Sequence, residues 1–171
     1  SSVDITNALN YALEPYAVKP LTVNDTIKMI GEGITRLIEK IVDSRGNGLL
    51  RSAVAESGHN PQRLQDIRTD VRNRFLKNYE QHILDFTREY PGVRETLDHL
   101  GRYKKAVISN KLESLSRKVL DGLGLTRHFD VVVGSDTTPE KKPSPLPILK
   151  VLADLHLLPA QALIVGDSNY D

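Results

Sequence analysis

Cysteine is absent from the 171 residues, which excludes disulfides, thiolate metal centres and a cysteine nucleophile. Tryptophan is absent too, methionine occurs once, and the aromatics are six tyrosines and three phenylalanines. A core built from this chain is therefore chiefly aliphatic, and a stacking platform for nucleobases has too few rings. Excess charge of one sign is also missing, since 23 Lys and Arg face 22 Asp and Glu for a net +1 with neutral histidine. Proteins that bind duplexes or membrane surfaces carry a basic footprint, so no nucleic acid and no membrane is expected as a partner. No apolar run approaches the roughly 20 residues of a membrane span, and no basic-then-apolar leader opens the sequence. The expectation is a soluble, cytoplasmic protein of one domain, or of a small core with an insert.

Up to about Tyr90 the apolar residues follow only helical spacing. Leu64, Ile67, Val71, Phe75, Tyr79, Ile83 and Phe86 recur by threes and fours, with charged residues between them. That spacing predicts one long amphipathic helix. Ile30, Ile34, Leu37, Ile38 and Ile41 form a second stripe, and Thr22 with Asp25 has the form of a capping box. Gly46-Asn47-Gly48 and Ser57-Gly58-His59-Asn60-Pro61 are turn clusters. Residues 1–90 are expected to form a small helical bundle.

From Pro91 the pattern changes to short Val/Ile-rich runs separated by helical stretches. Ala106-Val107-Ile108, Val131-Val132-Val133 and Ala162-Leu163-Ile164-Val165 are each predicted to be a buried parallel strand. Val93–Leu100, Leu112–Leu123 and Ile148–Leu158 are the intervening helices, the first lying between Pro91 and Gly101. Strands alternating with helices make an α/β sheet. The abrupt change at Tyr90-Pro91-Gly92 is a natural hinge.

Ligands of an open parallel sheet bind at the carboxyl ends of its strands, so the residues after each run matter most. Ile108 leads into Ser109-Asn110-Lys111, which is either an ordinary helix cap or a phosphate cradle of hydroxyl, amide and backbone N–H groups. After Val133 comes Gly134-Ser135-Asp136 and then a proline-rich loop holding Lys141 and Lys142, either solvated or with one lysine pinned toward an anion. After Val165 comes Gly166-Asp167-Ser168-Asn169-Tyr170-Asp171, a capped turn or a carboxylate pair for a hard cation such as Mg²⁺. Three such clusters on one sheet edge are the constellation that handles a phosphate with a metal. The five histidines fall at neither metal nor triad spacing and are read as structural.

Val107-Ile108-Ser109-Asn110-Lys111, then Lys142-Pro143, then Val165-Gly166-Asp167-Ser168 with Asp171, resembles in order and spacing the second, third and fourth motifs of the haloacid dehalogenase (HAD) superfamily. The helical first part resembles the cap inserted after that superfamily's first motif. Ile30-Gly31-Glu32-Gly33 is similar to the cap segment of its phosphoglycolate phosphatase branch. The resemblance implies a HAD-like Rossmannoid α/β parallel sheet over residues 91–171 with a helical cap over residues 1–90. It also implies Mg²⁺-dependent hydrolysis of a small phosphate ester. Ser109 and the Asn110 amide would bind phosphoryl oxygens, Lys142 would neutralise charge there, and Asp167 would hold Mg²⁺ with Asp171 in support. Gly31, Glu32 and Gly33 would bring the cap backbone near a small organic acid.

The family's first motif, D-x-D-G-T, supplies the nucleophile and the general acid/base, and the 171 residues contain no such motif. The chain is thus expected to be an internal piece of a longer monomeric or homodimeric protein, without the first strand and the last part of the core. Other HAD reactions (dehalogenase, phosphonatase, phosphomutase) and a non-catalytic metal- or anion-binding module are the competing readings.

Overall fold

The computed structural model describes residues 1–43, 61–168 and 170–171. The chain divides into two compact units, Ser1–Thr87 and Arg88–Asp171.

In the first unit the helical spacing is realised as α1 (Ser2–Leu13), α2 (Val23–Ile27), α3 (Ile34–Asp43) and α4 (Pro61–His82). Along α1, Asp4, Ala8, Leu9, Ala12 and Leu13 recur at helical spacing and are each at most 2 % exposed. That stripe packs on α4, where Ile67, Val71, Phe75 and Tyr79 are buried and the last two rings stack with centroids 5.1 Å apart. Leu37, Ile38 and Ile41 of α3 complete the core. Each such side chain contributes about 1.5–3 kcal/mol by leaving water. The long helix ends at His82, so Ile83 is buried beyond it while Phe86 is 59 % exposed. The expected stripe therefore stops one turn early.

Thr22 opens α2 as its composition suggested. Its hydroxyl accepts the Asp25 N–H at 3.2 Å, and the Asp25 carboxylate accepts the Thr22 N–H at 2.9 Å, so two otherwise unpaired donors are satisfied reciprocally. The turn residues at 46–48 and 57–60 lie outside the described residues.

The second unit runs α5 (Val93–His99), β1 (Ala106–Ile108), α6 (Glu113–Gly122), β2 (Val131–Val133) and α7 (Leu146–Leu155). β1 and β2 pair in parallel with Ile108 opposite Val133. β2 is the better buried strand, with Val133 fully covered and packed with Val151 and Leu155 of α7. β1 is only half-buried along its length, which corrects the expectation of a fully buried strand.

The run Ala162–Val165 is a further correction, because it forms no strand and leaves Leu163 88 % and Val165 87 % exposed. Strand composition alone does not make a strand. The backbone groups need a neighbour to complete a ladder, and the sheet among the described residues consists of β1 and β2. Among the described residues no helix is long and apolar enough to cross a membrane.

Candidate functional site

The polar clusters after β1, β2 and Val165 are joined by hydrogen bonds in the second unit. Ser109 continues the ladder for one residue, its N–H donating to the Val133 carbonyl at 2.9 Å, and its hydroxyl accepts the Lys111 N–H at 3.1 Å. The chain then turns, and α6 begins only at Glu113. The Asn110 side-chain amide donates to the Lys142 carbonyl at 3.0 Å, tying the loop after β1 to the proline-rich loop. The Lys142 ammonium in turn donates to Asp171 Oδ1 at 2.5 Å, their side chains only 17 % and 14 % exposed.

Asp171 organises the last loop. Its Oδ2 accepts the Asp167 N–H at 3.2 Å, the Ser168 N–H at 2.9 Å and the Ser168 hydroxyl at 2.8 Å. Gly166 makes this approach possible, since a Cβ there would stand 2.3 Å from Asp171 Cβ. The Lys142 ammonium foremost, then the Ser168 hydroxyl and N–H, hold the Asp171 carboxyl well below the usual carboxylate range. A depressed carboxyl contributes stability above its unfolded value of about 3.9 and loses it as pH falls through the folded value. The 167–171 loop is thus expected to keep its bonds at pH 4 and to release them only well below. A carbon-13 NMR titration of the Asp171 carboxyl checks this, with Lys142→Met moving the midpoint upward. An ordinary midpoint in the unsubstituted protein would refute the ion pair.

Ser109, Asn110, Lys142, Asp167 and Asp171 therefore belong to one connected chain of loops. Gly31, Glu32 and Gly33 lie in the first unit, in the turn between α2 and α3, with Gly31 and Gly33 at φ 122° and 82° and Glu32 ion-paired to Lys40. A cleft of about 230 Å³ on the first unit, lined by Asp4, Asn7, Tyr11, Asn78, His82 and Asp85, contains none of the expected site residues.

A second network, unassigned from sequence, sets the loop after β2 against α6. Asp136 accepts the Glu113 N–H at 2.8 Å, so the start of α6 is capped by a side chain from a distant segment. Glu113 accepts the Thr137 hydroxyl at 2.9 Å, and Thr137 accepts the Gly134 N–H at 2.8 Å. Ser135 closes the lacing by donating its N–H to the Lys111 carbonyl at 2.9 Å. Because Asp136 takes that donor, the first N–H of α6 is not open to an anion.

The donor set fits a divalent cation in one respect. Asp167, Asp171 and Lys142 carry a formal sum of −1, which repels a phosphate dianion unless a cation joins it. Among the described residues no three His, Cys, Asp or Glu side chains converge as a metal cage. A hard ion that keeps several waters and needs only one or two carboxylates, as Mg²⁺ does, matches such a sparse site. Asp167 is the carboxylate that could donate directly to such an ion, since both Asp171 oxygens already accept hydrogen bonds.

A parallel βαβ crossover with phosphate- and metal-type residues in consecutive loops defines a class, and the chain belongs to the haloacid dehalogenase-like hydrolase family, whose model matches residues 1–171. Within that family it is related to phosphoglycolate phosphatases. It is 36 % identical over 173 residues to the phosphoglycolate phosphatase of Aquifex aeolicus, covering 100 % of this chain and 71 % of that protein. The enzyme of the same name from Chromobacterium violaceum is 32 % identical, covering 98 % and 71 %. Among solved structures, a predicted phosphoglycolate phosphatase from Haemophilus somnus 129PT superposes with a TM-score of 0.80 at 26 % identity, over 94 % of this chain and 68 % of that one.

Proposed function

We propose that this chain supplies the cap and the phosphate- and metal-binding loops of a Mg²⁺-dependent phosphomonoester hydrolase acting on a small phosphorylated acid, 2-phosphoglycolate being the first to assay. The observation that carries the reading is the bonded series Asn110–Lys142–Asp171–Ser168, which joins an amide, an ammonium, a carboxylate and a hydroxyl from three loops. The names of the relatives support the substrate class.

In this reading Ser109 and Asn110 orient the phosphoryl oxygens, and Lys142 places a point charge where negative charge gathers during transfer. Asp167 holds Mg²⁺, which supplies Lewis-acid stabilisation of the phosphoryl group. Asp171 keeps Lys142 in place and shapes the Asp167 turn. The nucleophile is a carboxylate outside the 171 residues: its oxygen bonds to phosphorus as the ester P–O bond breaks, the alcohol leaves with a proton from a second acid also outside the 171 residues, and water then hydrolyses the aspartyl-phosphate to inorganic phosphate. Gly31, Glu32 and Gly33 are the cap residues assigned to the organic part of the substrate.

The test is inorganic phosphate release by the whole protein from a panel of small phosphomonoesters, with Mg²⁺ and with a chelator. Metal-dependent turnover is expected, strongest on a two- or three-carbon phosphorylated acid. Binding of phosphate and Mg²⁺ without turnover would replace the enzyme with a binding module, and release of halide from a haloacid would replace it with a dehalogenase. Asp167→Asn is expected to raise the half-activating Mg²⁺ concentration at least tenfold and lower kcat strongly, as loss of a metal donor requires. An unchanged Mg²⁺ dependence would remove Asp167 from the metal site.

A further inference from the structure

We infer that Asp4 and Arg94 are positioning residues that brace, from either side, the connection running from the helical unit into the second unit, so that its freedom is confined to the backbone between Thr87 and Glu89, just ahead of the sequence break at Tyr90-Pro91-Gly92.

The mooring in the first unit is a buried carboxylate. Asp4 is 1 % exposed, and a carboxylate at that depth must be compensated. Both of its oxygens hold the segment that leaves α4. Oδ1 accepts the Phe86 N–H at 2.9 Å, and Oδ2 accepts the Thr87 hydroxyl at 2.5 Å, with Thr87 itself 5 % exposed. The Phe86 ring is largely in solvent, so beyond the buried Ile83 it is these polar bonds that hold the exit. Burial, then the Asp4 charge, pushes the Tyr79 hydroxyl well above its ordinary range.

The mooring in the second unit is an arginine fork. Arg94 donates from Nε and Nη2 to the two carboxylate oxygens of Glu89 at 3.2 and 2.9 Å. The same guanidinium donates to the carbonyls of Leu123 at 2.7 Å and Gly124 at 3.4 Å, where α6 ends. Such bidentate bonds fix orientation as well as distance. Thr87 thus belongs to one body and Glu89 to the other, with one residue between them in sequence. Pivots between rigid bodies sit in a few residues bounded by fixed points.

The consequence for catalysis rests on the phosphatase reading above. A short, braced connection narrows the range of positions open to the helical unit, whereas a slack one widens it and lowers the productive fraction.

The absence of cysteine makes a direct measurement simple. Lys28→Cys and Lys118→Cys put one spin label on an exposed site of each unit, and pulsed electron resonance on the whole protein reads the distribution of distances between them. Thr87→Val and Glu89→Gln remove one mooring each with little change of shape, and each is expected to widen the distribution at least 1.5-fold with unchanged circular dichroism. Asp4→Asn and Arg94→Met are expected to widen it further, and kcat/KM on the best phosphomonoester to fall at least threefold in parallel. Unchanged widths in the folded Thr87→Val and Glu89→Gln proteins overturn the proposal, and widening in only one overturns the other mooring. A protein without turnover would defeat the phosphatase reading and leave the distance distributions to judge the moorings.

Discussion

Lys142→Ala is expected to lower kcat/KM toward phosphomonoesters by about 10²–10³-fold, the usual cost of removing one preorganised charge-stabilising group, while Lys141→Ala lowers it less than threefold. The two lysines are adjacent in sequence, so composition cannot separate them. The ion pair does: Lys142 is anchored through Asp171 to the Asp167–Ser168 turn, and its carbonyl is anchored to Asn110. An ammonium held at both ends of its residue has little freedom to lose when phosphate arrives, and that preorganisation is what makes a charge effective in transfer. Lys142→Arg is expected to recover only a small part of the activity, because a planar fork does not replace a compact point charge. Phosphate-release kinetics and circular dichroism on the three variants check this. A larger loss in Lys141→Ala than in Lys142→Ala would reassign the phosphate-binding lysine.

Much of the helical unit is legible in the sequence because its determinants are local. The stripe from Ile67 to Tyr79, the Ile38–Ile41 face and the Thr22–Asp25 box all lie within one or two turns of the residues they organise. The failures share a different origin. Ala162–Val165 has strand composition, yet a strand is a property of a pair, and no spacing rule names the partner. The start of α6 is set by Asp136, 23 residues away, so the cap was invisible to a search for Ser, Thr, Asp or Asn just before the helix. Asp4 did carry a readable signal. It stands at i and Ala8 and Ala12 at i+4 and i+8 on the face of α1 that otherwise holds Ala and Leu, and an acid on a core stripe must find donors. What periodicity could not supply was where those donors lie, some 80 residues on.

The same distinction between spacing and approach governs the site. Residue types after β1, β2 and Val165 indicated a hydroxyl, an amide, a lysine and carboxylates, the first three understandable as residues in the loops that follow strands. The bonds that order them, Asn110 to Lys142 and Lys142 to Asp171, span 32 and 29 residues. Asp171 in particular reads from sequence as a second metal carboxylate, whereas its two oxygens serve an ammonium, two backbone N–H groups and a hydroxyl. Those bonds suit Asp171 to orientation, and Asp171→Asn is the variant in which the Lys142 and Asp167 effects would appear together.

Gly134→Ala is expected to destabilise the second unit by about 3–5 kcal/mol, at the upper end of single-substitution effects. A Cβ at Gly134 would lie 2.1 Å from the Glu113 nitrogen, 2.5 Å from Glu113 Cα and 2.8 Å from an Asp136 carboxylate oxygen. Two of these are backbone atoms at the start of α6, so no side-chain rotation relieves the overlap. Moving the helix end outward breaks the Asp136 cap and the Thr137–Glu113 bond, and moving β2 inward compresses Val133, which is fully buried against α7. Each route forfeits hydrogen bonds worth about 0.5–1.5 kcal/mol apiece, more where a carboxylate takes part, in addition to the packing loss. Gly92→Ala is the control: it has open space around its Cβ position and a φ of 81°, so only backbone strain of about 1–2 kcal/mol is expected. Hydrogen exchange of the Val132 and Val133 amides, which reports the second unit without assuming that the two units unfold together, measures both. A Gly134→Ala protein protected to within 1 kcal/mol of the parent would show that α6 and the loop after β2 separate at little cost, and the close approach of Gly134 to Glu113 would then have no part in holding the phosphate-side loops in register.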